Sequence, residues 1–370
     1  MKIITKDTEI NYKQILKKYP QLNLEQAIFF DIETTGFSSK NSKLYMIGCL
    51  YVDTNTDTFH TIQWFLDDYN DEAALILSFL EFSRTYTTLI HYNGLGFDIP
   101  YMEDKCKKFN IIFDFSRFEH IDLYKYASRI KNIFKTENLK QKTMEQFFDL
   151  NREDIFTGGD LISVYSEYMT TKDERAIDFL MLHNFEDIQG MLTLLDILAY
   201  TYIFEEKYTL KTLSIEDYVS RDEIPRKDVI IELELNTPVP KRVSYGNTEY
   251  YMTAFHNKLR LKIQVYTDEL KFFYPNYKDY YYLPEEDMSI HKSVAFYVDK
   301  NFRVKAKAAN CYSKKTGQFL PQYKEVITPY FKKEYNDKET YFEVTDEFLG
   351  DGEMVLQYVG HVLEWLMKCK

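Results

Sequence analysis

The chain has 370 residues, 45% of them hydrophobic and 28% charged, which excludes a disordered polymer and is long enough for two or three domains. Its formal net charge is −12, so a general nucleic-acid coat is disfavoured, although carboxylates that hold divalent cations still reach phosphate. No apolar run approaches the roughly 18 residues of a membrane span.

Residues 1–24 carry no apolar stretch behind Lys2, so no secretory signal is expected, and they read as a short amphipathic leader. Residues 27–35 (AIFFDIETT) are an apolar run ending in carboxylates, a buried-strand pattern that Gly36 and the polar stretch 38–42 terminate. Residues 43–53 and 58–66 predict two more strands, 71–85 a helix, 87–92 a strand, 98–109 a helix with Pro100 in its first turn, and 118–124 a strand. From there to about residue 207 the apolar spacing is helical. This order predicts an α/β domain with a mixed central sheet flanked by helices over 1–210.

Pro225, Pro238 and Pro240 punctuate a charged stretch that reads as a linker over 211–240. Beyond it, Tyr/Phe/Val-rich runs at 249–255, 259–266, 270–274, 280–283, 294–298 and 302–307 predict antiparallel strands, and 353–368 a closing amphipathic helix. Residues 241–370 thus predict a second, α+β, mainly antiparallel domain. Charge divides at the same place, with a net −14 in residues 1–240 and +2 in 241–370. The four cysteines (Cys49, Cys106, Cys311, Cys369) form no CxxC pair and no metal-ligand spacing, which points to a reduced, cytoplasmic protein.

Three segments carry candidate chemistry. Asp31 and Glu33 are two apart on a strand and share a face within an apolar run. Two buried carboxylates so placed need cations or protons, and Mg²⁺ or Mn²⁺ is the natural relief. The turn at Gly36 puts them where substrate can approach; an ordinary solvated strand end is the alternative. In the segment His91–Pro100 (HYNGLGFDIP), a strand delivers Asn93, glycines turn the chain, and Asp98 opens a helix as a ligand or only as a cap. In His183–Ile188 (HNFEDI), His183 and Asp187 share a helix face, so that a carboxylate can hold a metal while the imidazole takes a proton from water. A satisfied buried histidine and a helix-surface acid are the bland alternatives there.

The order DIETTG, HYNGLGFDIP and, about ninety residues later, HNFEDI resembles the DEDD superfamily of 3′-to-5′ exonucleases. The details are most similar to its bacterial ribonuclease-H-like family, with NxxxFD and (Y/H)NxxD motifs. The stretch 152–155 (REDI), with Gly158–Gly159 and 165–168 (YSEY), resembles the loop and helix before the last motif. The resemblance covers roughly residues 25–207 and implies a ribonuclease-H-like fold. It implies Asp31, Glu33, Asp98 and Asp187 as ligands of two Mg²⁺ or Mn²⁺ ions, His183 as general base, and Thr34, Gly36, Phe37 and Asn93 as substrate-binding residues. The expected partner is nucleic acid with a free 3′ end, single-stranded, with no membrane. The sequence departs from the histidine subtype, whose base lies five residues before the last Asp, where Leu182 stands. It departs from the tyrosine subtype, whose base lies four before, where His183 stands. Two rival readings stay open: a catalytically silent binding module on a nuclease fold, and a ribonuclease-H-like endonuclease.

Residues 241–370 hold 16 of the 32 tyrosines, with scattered Lys and Arg. Aromatics interleaved with basic residues form either a stacking platform for single-stranded bases or ordinary strand and core packing.

Overall fold

The computed structural model describes residues 1–219 and 223–368; Cys369 lies outside them. The chain divides into two units, Met1–Thr201 and Tyr202–Lys370.

The first unit is built on six strands: β1 (Lys2–Asn11), β2 (Ala27–Thr34), β3 (Leu44–Asp53), β4 (Thr58–Phe65), β5 (Thr88–His91) and β6 (Glu119–Asp122). Their spatial order is β1-β4-β3-β2-β5-β6. The β1/β4, β4/β3 and β3/β2 pairs are antiparallel, and β2/β5 and β5/β6 are parallel, so the sheet is mixed. Nine helices accompany it: α1 (Tyr12–Lys18), α2 (Glu72–Phe82), α3 (Asp98–Lys108), α4 (Leu123–Arg129), α5 (Lys131–Phe134), α6 (Gln141–Phe147), α7 (Gly158–Thr171), α8 (Glu174–Leu194) and α9 (Ile197–Phe204), the last reaching the unit boundary.

β2 sits between β3 and β5 with both faces covered, which is why it reads as a nearly continuous apolar run. α2 packs on β3 and β4, and α8 on β2, β3 and β5. α7 opens with a capping box in which Thr157 and Asp160 satisfy each other's backbone N–H groups, and α8 with Asp173 accepting from the Arg175 N–H. The Asp173 cap fixes where α8 begins and thus which of its side chains meet β2.

A buried ion pair ties α2 to α3. Lys105 Nζ lies 2.6 Å from Glu72 Oε1, and neither side chain is appreciably exposed. Burial pushes the Glu72 carboxyl up, but Lys105, the Leu44 N–H and Lys43 outweigh it and hold it below its ordinary value.

The expectation of a leader over 1–24 is corrected: residues 2–11 are β1, an edge strand, and 12–18 are α1. An edge strand needs only partial burial and is protected by charges such as Lys2 and Lys6, so its sequence looks like that of a solvated segment.

The described residues of the second unit form three antiparallel sheets. β7 (Tyr208–Val219), β8 (Pro225–Gly246) and β9 (Tyr250–Gln264) form the first. β10 (Tyr266–Phe273), β11 (Tyr280–Leu283), β12 (Met288–His291), β13 (Val304–Lys305), β14 (Tyr312–Gln322), β15 (Tyr330–Phe331) and β16 (Thr340–Glu343) follow, arranged as β10-β14-β16-β15 and β12-β11-β13. Among the described residues three helices complete it: α10 (Lys292–Ala295), α11 (Asp346–Gly350) and α12 (Gly352–Lys368). Tyr250 and Tyr358, both buried, donate to the Pro321 carbonyl at 2.7 and 2.8 Å.

Of the linker expected over 211–240, residues 211–219 belong to β7 and 225–240 to β8, and 220–222 lie outside the described residues. Pro225 opens β8, and Pro238 and Pro240 fall at its register shifts, where a missing N–H costs no ladder bond. The strand expected over 294–298 is also corrected, since α10 and a turn occupy it. No helix among the described residues is long and apolar enough to cross a membrane.

Replacing Lys105 by Met leaves Glu72 buried beside Lys43 alone. Urea unfolding should show a loss of about 3–5 kcal/mol, and the Glu72→Leu/Lys105→Met pair should recover most of it.

Candidate active site

Strand side chains alternate, so Asp31 and Glu33 leave one face of β2 while Phe30 and Ile32 leave the other. Phe30 stacks on Phe79 of α2 at 4.8 Å. Asp31 accepts from Nδ2 of Asn184 on α8 at 2.9 Å. The carboxylates therefore face α8. His183 Nε2 on that helix lies 3.3 Å from Oδ2 of Asp187 and 3.6 Å from Oε1 of Glu33. Ligand atoms of Glu33, His183 and Asp187 all lie within 4.8 Å of one another.

Asp98 joins from the next element. It is the first residue of α3 and is buried, and its Oδ1 accepts from the backbone N–H of Ile32 at 3.2 Å. Its side chain is committed to β2, between Asp31 and Glu33, which a helix-capping role does not explain.

The electrostatics follow from this crowding. Burial pushes Asp31 well above the usual carboxylate range, and the charges of Asp187, Asp98 and Glu33 add to it. Burial does the same to Glu33, helped by Asp187 and Asp98. Asp98 is pushed up to about 7, burial outweighing the backbone N–H groups that reach it. Buried carboxylates that resist ionising together, beside one imidazole, are the donor set that hard divalent cations take. Glu33, His183 and Asp187 bring their ligand atoms close enough together to hold such a cation.

Several residues given no role from sequence complete the arrangement. Asn184 is fully buried and also accepts from Gln63 Nε2 at 2.9 Å. Gly48 stands directly across from Asp31 on β3, and a Cβ there would lie 1.9 Å from Asn184 Oδ1, so only glycine leaves room for the amide. A glycine inside a strand pattern is the signal that marks such a close approach. Asp154 bonds His183 Nδ1 at 2.6 Å and also accepts from Lys142 Nζ at 2.8 Å and the Phe156 N–H at 2.9 Å. Burial pushes Asp154 up, but Lys142, the Phe156 N–H and His183 hold it below its ordinary value. Arg152 donates to Asp187 Oδ1 and Glu145 Oε1, both at 2.6 Å. Glu186, beside Asp187, accepts from the backbone N–H groups of Glu153 and Asp154 at 2.7 and 3.0 Å, which fixes the loop carrying Arg152 and Asp154.

Of the four residues expected to touch substrate, Thr34 and Gly36 are half-buried and Phe37 and Asn93 are exposed. Thr34 Oγ1 donates to the Gly36 carbonyl at 3.0 Å, shaping the turn that ends β2. Phe37 is 93% exposed, its ring 6.1 Å from that of Phe97. Asn93 is exposed, in a left-handed conformation (φ 64°), and its N–H donates to Asp122 Oδ1 at 2.9 Å.

Residues 28–199 match the family model of the RNase_H superfamily. This stretch is an RNase_H-like domain. The match and the carboxylate cluster support a nuclease. The RNase_H-like domain holds the whole cluster, from Asp31 to Asp187. Among solved structures, the chain is similar to E. coli exonuclease I in complex with a dT13 oligonucleotide, at 10% identity and a TM-score of 0.31. It is also similar to the zinc-bound form of an E. coli exonuclease I complex with single-stranded DNA, at 13% identity and a TM-score of 0.29. Each alignment covers 56% of this chain and 54% of the exonuclease I chain, about half its length. No curated protein matches the chain.

A carboxyl whose folded-state pKa stands above its unfolded value binds its proton more tightly when folded. Its stabilising contribution is present at low pH and is lost as pH rises from about 4 to about 7. Asp98→Asn keeps the shape without the charge. In EDTA at pH 8 it should be more stable than the parent by about 2–4 kcal/mol, and the gap should close near pH 4. Urea titrations at both pH values check this, and an equal gap at both would refute the charge argument.

Proposed function

We propose that the chain is a metal-dependent 3′-to-5′ exonuclease that hydrolyses phosphodiester bonds of single-stranded nucleic acid. The observation that carries the reading is the meeting of Asp31, Glu33, Asp98 and Asp187 around His183 on one face of β2. In this reading the four carboxylates hold two divalent cations, Mg²⁺ or Mn²⁺. Such ions, when bound, neutralise the phosphate and lower the pKa of water at the site.

The chain's own residues supply the rest. His183 Nδ1 donates to Asp154 at 2.6 Å, so Nε2 is the free base and faces the acidic cluster. Nε2 takes the proton from the attacking water, and Asp154 stabilises the imidazolium that forms. Asp154 is a positioning residue, since it acts through His183. Arg152 occupies Oδ1 of Asp187 and thereby sets the orientation of that carboxylate. The bare ring of Phe37 beside Phe97 offers a face to the terminal base, with Thr34 and Gly36 shaping the turn beneath it and Asn93 at the adjoining loop.

The first test is a time course on 5′-labelled single-stranded and 3′-overhang DNA and RNA with Mn²⁺, Mg²⁺ or EDTA. The expected result is a metal-dependent ladder that shortens from the 3′ end and is absent in Asp31→Ala. Cleavage of end-blocked substrates would make the chain an endonuclease, and metal binding without hydrolysis would make it a silent binding module.

A second test addresses His183. His183→Ala should lower kcat by about 10²–10⁴-fold while leaving Mn²⁺ affinity, measured by calorimetry, nearly unchanged. A comparable loss of Mn²⁺ affinity would make the imidazole a ligand. Asp154→Asn, which keeps the shape but disturbs the tautomer, should lower kcat with little change in KM.

A further inference from the structure

The second unit carries a surface that the carboxylate chemistry leaves without a role. Residues 291–307 hold five basic side chains (Lys292, Lys300, Arg303, Lys305, Lys307) against one acid, Asp299, in a chain of net charge −12. The segment has its own order. The N–H groups of Tyr297, Val298 and Phe302 donate to the carbonyls of Val294, Ala295 and Asp299, each at 3.1 Å. The Arg303 guanidinium donates to the Ala295 carbonyl and lies 5.0 Å over the ring of Tyr281. On this bonded backbone the rings of Phe296, Tyr297 and Phe302 stand 78%, 86% and 50% exposed. Tyr250, Tyr341 and Tyr358 of the same unit are buried, so aromatic composition alone does not account for the bare rings. Lys292 pairs with Asp279 at 2.8 Å. Among the described residues, no ion pair engages Lys300, Lys305 or Lys307.

Uncommitted cations and bare aromatic rings on one short segment complement a flexible polyanion whose units each carry a phosphate and a flat face. We propose that this surface binds single-stranded nucleic acid, with bases on Phe296, Tyr297 and Phe302 and phosphates on Lys300, Arg303, Lys305 and Lys307. The inference rests on the nuclease reading for its choice of polymer and adds a binding surface in the second unit. The surplus of cations favours this partner over a protein surface.

The test uses the full chain in EDTA and the anisotropy of labelled oligothymidylate and oligouridylate of about 20 nucleotides. The parent should bind one or both. The Phe296→Ser/Tyr297→Ser/Phe302→Ser variant should bind at least about tenfold more weakly. The Lys300→Glu/Lys305→Glu/Lys307→Glu variant should lose about 2 units of the salt slope. These six side chains are exposed, so the urea midpoints of both variants should match the parent's.

The second readout is Mn²⁺-dependent hydrolysis of the p-nitrophenyl ester of thymidine 5′-monophosphate, which has a single base and should be cleaved equally by parent and variants. No binding by the parent, or unchanged affinity in both variants, overturns the proposal even where the ester is cleaved. Loss of a self-associated state by light scattering, with nucleic-acid affinity unchanged, overturns it in favour of a protein contact. Binding that the variants lose, without ester hydrolysis in the parent, supports the proposal and counts against the nuclease reading alone.

Discussion

Like charges brought together out of water must be compensated, and the surroundings of β2 answer to that constraint. Asp31, Glu33 and Asp98 are all held above their ordinary pKa values, with burial as the leading cause. Each is held where it is by a bond or contact from another element: Asn184 from α8, Tyr45 from β3, and the Ile32 N–H of β2 itself. Packing those groups so tightly requires Gly48 to have no side chain. The arrangement works against the stability of the metal-free fold, as sites built for chemistry commonly do. The cost is small beside the apolar core on the opposite face, where Phe30, Phe79 and their neighbours are shut away from water.

Compensation extends one layer outward. Arg152 lies between the carboxylates of Glu145 and Asp187, and Asp154 lies between Lys142 and the His183 imidazole, so each of these groups meets a partner away from the acidic centre. Glu186 ties this layer down by accepting two backbone N–H groups from the loop before α7. The His-Asn-Phe-Glu-Asp segment of α8 therefore serves the site with four of its five side chains: His183, Asn184, Glu186 and Asp187. The second unit uses its aromatics in two ways, burying tyrosines such as Tyr250 and Tyr358 and leaving Phe296 and Tyr297 bare.

Much of the first unit is legible in the chain itself. The strands at β2 to β5 and the helices α2 and α3 carry a strong apolar signal, because both faces of a central strand or one face of a helix must be covered. Segments with a weak apolar signal do not announce their strands. β1 is an edge strand with five charged or exposed positions in its middle, and β7 is exposed along most of its length, so neither resembles a core strand. Pro238 and Pro240 suggested a linker because the bulges that accommodate them are products of strand pairing and leave no local mark.

By itself the sequence determined the chemical inventory: the spacing of Asp31 and Glu33 on one strand face, the i, i+4 placement of His183 and Asp187, and Asp98 at a helix start. These follow from local geometry, which has a fixed period. Only the tertiary structure decided what surrounds them. That Asp154 rather than solvent meets His183, that Asn184 reaches Asp31 through the gap at Gly48, and that Arg152 caps Asp187 depend on contacts between residues 29 to 153 positions apart. Such contacts are set by how helices and strands pack, and packing leaves no periodic trace in the chain.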